Sequence, residues 1–132
     1  MKLEDQVCSL ELSQKLKELG VKQESRYVWV DLADPRQSYG SMYKLKSSST
    51  GWNKPFSAFT VAELGEMLEL YLHKSWKNAN DNWMCSCLVD EKVDDENTYS
   101  KEIFEEAKTE ADARAKMLIY LIENKLIEGS NA

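Results

Sequence analysis

The sequence has one histidine, two prolines, three cysteines and five scattered glycines in 132 residues, and each shortage excludes something. A single histidine, His73, rules out multi-histidine metal sites and leaves one imidazole as a base. Its position near the end of a helical stretch, beside Lys74 and Trp76, reads as a cation at a helix C-terminus. The glycines at 20, 40, 51, 65 and 129 never cluster, so no phosphate-cradling loop is indicated. The dinucleotide, P-loop and nucleophile-elbow patterns are missing too. The odd number of cysteines argues for free thiols. An N-terminus with Glu4 and Asp5 and no apolar segment adds the expectation of a reducing cytoplasm. Cys85 and Cys87 lie two apart on one face of a strand, a poor disulfide geometry, and four zinc ligands cannot be assembled. The thiols read as small apolar filler, and neither metal nor cofactor is expected. The longest wholly apolar run, Met117 to Ile122, is six residues, far short of a membrane span.

Charge is plentiful but uneven. Residues 1–82 hold 11 basic and 11 acidic side chains, and residues 83–132 hold 6 and 12, so the whole net charge of −6 lies in the last 50 residues. Such a surface disfavours nucleic acid and anionic membranes as direct partners. It reads either as a solvated acidic face or as a docking face for a basic protein.

Hydrophobic spacing predicts the elements. Residues 9–19 form a helix capped by Ser9, with Leu12, Leu16 and Leu19 as its stripe and Gly20 as its left-handed stop. Residues 26–32 alternate as a strand, Asp34-Pro35 marks a turn, and residues 41–46 return as a hairpin. Residues 47–59 are irregular, flexible at Ser47–Ser49 and pinned by Trp52, Phe56 and Phe59. Thr60 and Glu63 form a capping box. The helix after it carries Val61, Leu64, Leu68, Tyr71 and Leu72 on one face and ends near His73 or Trp76. Gly65 inside it signals close approach by another backbone. Residues 83–89 read as a central strand covered on both faces, and 90–98 as an exposed acidic loop. Residues 99–106 fit either a returning strand or a helical turn. Thr109 caps a last helix running to about Asn124, with Arg114 and Lys116 on its outer side. Its second half, MLIYLI, is apolar all round, so it crosses the middle of the domain or buries one face in a second protomer.

The resulting order is α-β-β-α-β-β-α in a single domain, residues 1–132. This is an α+β fold in which an antiparallel sheet of about four strands, in two hairpins, packs with three helices. The segment 109–127, TEADARAKMLIYLIENKLI, resembles the C-terminal helix of small uncharacterised phage- and prophage-encoded proteins of bacteria. LKELGVKQES (16–25) and FTVAELGEML (59–68) are similar to other blocks of the same proteins. The TEADA-x-A run also resembles a phage α/β/α sandwich domain of unknown function. The resemblance implies a bacterial or phage cytoplasmic origin, raises a three-layer α/β/α alternative, and transfers no site residue.

Three functions compete. The first is a non-catalytic protein-interaction module, with Trp52, Phe56, Met117 and Tyr120 as candidate contacts; a homodimer is compatible with this and with each of the other two. The second is an acidic nucleic-acid mimic acting on a basic protein through the 90–98 loop, with Asp94, Asp95 and Glu96. The third is a small enzyme of unrecognised type, which needs a pocket near His73, Cys85 and Asp90.

Overall fold

The structure is a computed structural model and describes residues 2–33, 42–48, 51–52, 54–92 and 94–126. After a short helix α1 (Leu3–Gln6), Ser9 opens α2 (Leu10–Glu18) by accepting the Leu12 amide at 3.5 Å, and Gly20 adopts φ +88 beyond its end. Strand β1 (Tyr27–Asp31) pairs antiparallel with β2 (Tyr43–Ser47) in the expected hairpin. The Asp34-Pro35 turn and Ser49 lie outside the described residues.

The irregular stretch contains an element that composition hides. Phe56–Ser57 is a two-residue strand, β3, on the other edge of β1. The first sheet is therefore three-stranded, in the order β2-β1-β3. The capping box forms as expected: the Thr60 hydroxyl accepts the Glu63 amide at 3.1 Å and the Glu63 carboxylate accepts the Thr60 amide at 2.8 Å.

Helix α3 (Val61–Met67) is shorter than the spacing predicted. A 3-10 turn over Glu69–Tyr71 follows, and Leu72 takes a left-handed conformation at φ 49. That reversal points Leu72 into solvent rather than onto the core face, and residues 74–77 become an edge strand, β4 (Lys74–Lys77). β4 pairs with β5 (Trp83–Lys92), and β5 pairs with β6 (Thr98–Ala107) along ten consecutive residues. The strand reading of 99–106 holds, and the acidic loop shrinks because both strands extend into it.

The α+β class stands, with a different layout from two hairpins in one sheet. Among the described residues six strands form two three-stranded antiparallel sheets, the second ordered β4-β5-β6. Helix α4 (Glu110–Glu123) lies on one face of the second sheet, with α3 and α2 against its other sides. No described helix covers the opposite face, which corrects the expectation that β5 is covered twice and departs from a three-layer sandwich. Met117, Leu118, Ile119 and Leu121 are buried among Leu16, Phe59, Leu64, Leu68, Cys85 and Cys87, so MLIYLI crosses the middle of the molecule. Ala111, Ala113 and Ala115 are fully buried as well, and their small side chains let α4 sit close to its neighbours on several sides.

The caps are linked. Thr109 accepts the Asp112 amide at 3.1 Å, and the Asp112 carboxylate accepts the Ser9 amide at 2.7 Å, which ties the start of α4 to the start of α2. The Trp29 indole ties the first sheet to the segment before α2 by donating to the Cys8 carbonyl at 3.0 Å, and the same segment bridges to the start of α3 through Val7 and Thr60.

Candidate interaction surface

Alternation along the second sheet sends Trp83, Cys85, Cys87, Val89 and Ile103 toward α4. It sends Trp76, Met84, Ser86, Leu88, Phe104 and Glu106 the other way. A sheet face on which no helix packs, as here among the described residues, usually reads polar. This one does not. Phe104 is 51% exposed, and Trp76 and Leu88 are more than a third exposed. The Trp76 and Phe104 rings meet edge to face across the central strand, with centroids 6.2 Å apart and planes at 90°. They can meet because the residue opposite Phe104 on β5 is the small Ser86. Their cover leaves Ser86 1% exposed, and its hydroxyl has no hydrogen-bond partner among the described residues.

The apolar strip continues past the end of β4. β5 runs beyond its partner there, and the turn carrying Leu70 and Leu72, 89% and 67% exposed, lies beside it. With Leu88 and Leu126 these side chains line a depression of about 410 Å³. The described rim is mostly acidic: Asp90, Glu102 and Glu106 against Lys74, whose ammonium is 3.9 Å from Glu102. Asn78 donates to the Glu106 carboxylate.

No family model, curated protein or solved structure matches this chain. The surface is therefore read from its own geometry. No helix among the described residues is long and apolar enough to cross a membrane.

The sequence candidates fall elsewhere. Met117 is fully buried and offers a partner no surface, and Tyr120 is half-buried against the core. Phe56 is half-buried on β3, 6.0 Å from Tyr43 and with the Lys17 ammonium 5.0 Å from its ring centre. Trp52 donates its indole N–H to the Ser47 carbonyl at 2.9 Å. Asp94, Asp95 and Glu96 are exposed in the β5–β6 turn. Asp94 is a turn builder: it accepts from the Glu96 and Asn97 amides and the Asn97 side chain, and those bonds hold its carboxyl below the usual range. These groups do not converge. The residues that do, Trp76 and Phe104, were absent from the sequence candidates. One signal was present: the alternation Lys74-Ser75-Trp76-Lys77 directly before the Asn78–Asn82 turn and the strand at Trp83.

Of the enzyme candidates, Asp90 stands apart from His73 and Cys85, both of which feel the Arg114 charge. Asp90 lies on the outer face, accepting from Ser100 at 3.3 Å, while Cys85 is fully buried on the inner one. Arg114 is no outer-face residue. Its side chain is 15% exposed, paired with Glu110 at 3.0 Å and donating to the Ser75 hydroxyl and the Val61 carbonyl. Gly65 is needed for this side chain rather than for another backbone, since a Cβ there would sit 2.5 Å from the guanidinium. His73 packs against the same spot and is no helix-end cation. Burial, then the Arg114 charge, lowers its pKa. The neighbouring Cys87 thiol lowers the Cys85 pKa with help from Arg114 and against burial, while Cys85 and burial raise that of Cys87. No cluster of three or more metal-ligating side chains occurs among the described residues.

Proposed function

We propose that this protein is a non-catalytic protein-binding module and that its docking surface is the outer face of the second sheet. The observation that carries the reading is the edge-to-face pair of Trp76 and Phe104, standing in solvent over a buried hydroxyl without a partner. Exposed aromatics at the centre of a polar rim are the usual anchors of an interface. The rim favours a partner whose own apolar patch is edged with lysine or arginine, because Asp90, Glu102 and Glu106 outnumber Lys74 there. The Asp94–Glu96 turn adds long-range attraction to the same kind of partner.

The test is capture from a bacterial lysate by the wild-type chain and by the Trp76→Ala and Leu88→Ser variants, washed at low and high salt. A partner held through high salt by wild type and lost by both variants supports an apolar docking face. A partner kept equally by all three chains sinks the reading. A partner released by salt alone favours the acidic mimic instead.

A further inference from the structure

Strand β6 ends the second sheet, and no described strand lies beyond it. It pairs with β5 over ten residues without a bulge, so its other edge is long and regular. Such an edge is a template for another strand unless side chains block it. The Lys116 side chain donates to the Glu106 carbonyl at 2.9 Å in an exposed bond that an incoming strand opposite Glu106 must share or displace. The stretch from Thr98 to Glu102 is exposed.

We propose that two copies of this chain associate through this edge, with β6 antiparallel to β6 of the second copy and Ile103 opposite Ile103 at the two-fold axis. Geometry limits the registers sharply. Outward-pointing backbone groups belong to alternate residues, and the two strands are identical. Each residue must therefore pair with itself or with one an even number of positions away.

The charges on the strand decide among those registers. Centring on Glu102, Glu105 or Glu106 sets a carboxylate against its own copy, and centring on Lys101 sets ammonium against ammonium. Centring on Phe104 places Glu102 opposite Glu106 twice. Centring on Ser100 or on either residue before it pairs only the N-terminal part of the strand and matches no charges; centring on Ala107 pairs only the last residue. Centring on Ile103 pairs nine of the ten strand residues and sets Lys101 opposite Glu105 twice, the only register with opposite charges aligned. Burial already holds the Glu105 carboxyl above its usual range, only partly offset by Lys116, so a second cation beside it is well placed.

The resulting six-stranded sheet carries both α4 helices on one side and both Trp76–Phe104 pairs on the other. The sheet edge that pairs is distinct from the outer face that docks a partner.

The test is the mass of the full chain in solution by light scattering or sedimentation across micromolar concentrations. Wild type is expected to dimerise, Lys101→Glu to weaken the dimer by about tenfold or more, and K101E combined with Glu105→Lys to restore it. Because Glu105 is half-buried and E105K brings a second cation toward Lys116, a second measurement stands beside it. The exposed pair E102C/F104C is expected to form intermolecular disulfides, since residues 102 and 104 face each other across the axis. A monomeric wild type, a dimer indifferent to K101E, or an absence of cross-linking in a folded E102C/F104C chain each overturns the proposal.

Discussion

Gly65 shows how a single residue is chosen by its neighbour. In an exposed helix, alanine in place of glycine gains about 1 kcal/mol. Here a Cβ meets the Arg114 guanidinium, which is fixed by Glu110, Ser75 and Val61. Gly65→Ala is expected to lower stability by about 1–2 kcal/mol in urea unfolding. In the Arg114→Met background the same substitution is expected to be neutral or stabilising, a change of sign that no propensity scale gives. His73 beside it adds a pH signature. Its folded-state pKa lies below the ordinary 6.5, so the unfolded chain binds more protons as pH falls through that value. Stability is expected to be full at neutral pH and to decline from about pH 6.5 downward, and His73→Gln should flatten that part of the profile. Ser86→Ala removes a hydroxyl that is buried without a partner, and should raise the unfolding free energy by ~1 kcal/mol.

At the level of elements, caps were legible and boundaries less so. The box Thr60–Glu63 and the cap Thr109 were visible because their chemistry is local: a hydroxyl, and in the first case a carboxylate three residues on. The Glu63 carboxylate does more than cap, since it also accepts from the Ser25 hydroxyl at 2.8 Å and the Arg26 amide at 3.2 Å. Glu63→Ala is therefore expected to cost about 2 kcal/mol or more in thermal or urea unfolding, against about 1 for Thr60→Ala. Strands β3 and β4 were not legible. Phe56–Ser57 is too short to alternate, and Lys74–Lys77 follows a helical stripe whose last member, Leu72, turns away through a left-handed backbone. Trp76 was consequently read as the end of a helix, and the aromatic pair it makes with Phe104 was hidden. Periodicity reports which residues share a face of one element; it carries no information on which strands become neighbours.

Across the whole molecule, the class and the buried centre were readable and the division into two sheets was not. The apolar run in α4 announced that it would be surrounded, and it is, by side chains from residues 8 to 103. Free thiols were readable from their number, and their burial from the apolar strand around two of them. All three are fully buried, and desolvation pushes Cys8 up to about 11. A thiol reagent such as an aromatic disulfide is expected to find none of them in the native protein and three after unfolding, with native labelling limited by opening of the fold.

The position of α4 in the chain has a consequence for how the protein is made. Cys8, Leu16, Phe59 and Leu64 are all sealed from water in a core that includes a helix beginning only at Glu110. A ribosome has thus passed residue 109 before the surface those side chains need begins to exist. The hairpin of β5 and β6 can close as soon as it emerges, because its partners are adjacent in sequence. Helices α2 and α3 must wait, their apolar stripes bare, until α4 reaches them. Consolidation of this core follows the emergence of α4, and a chain stalled before Glu110 is a client for a chaperone.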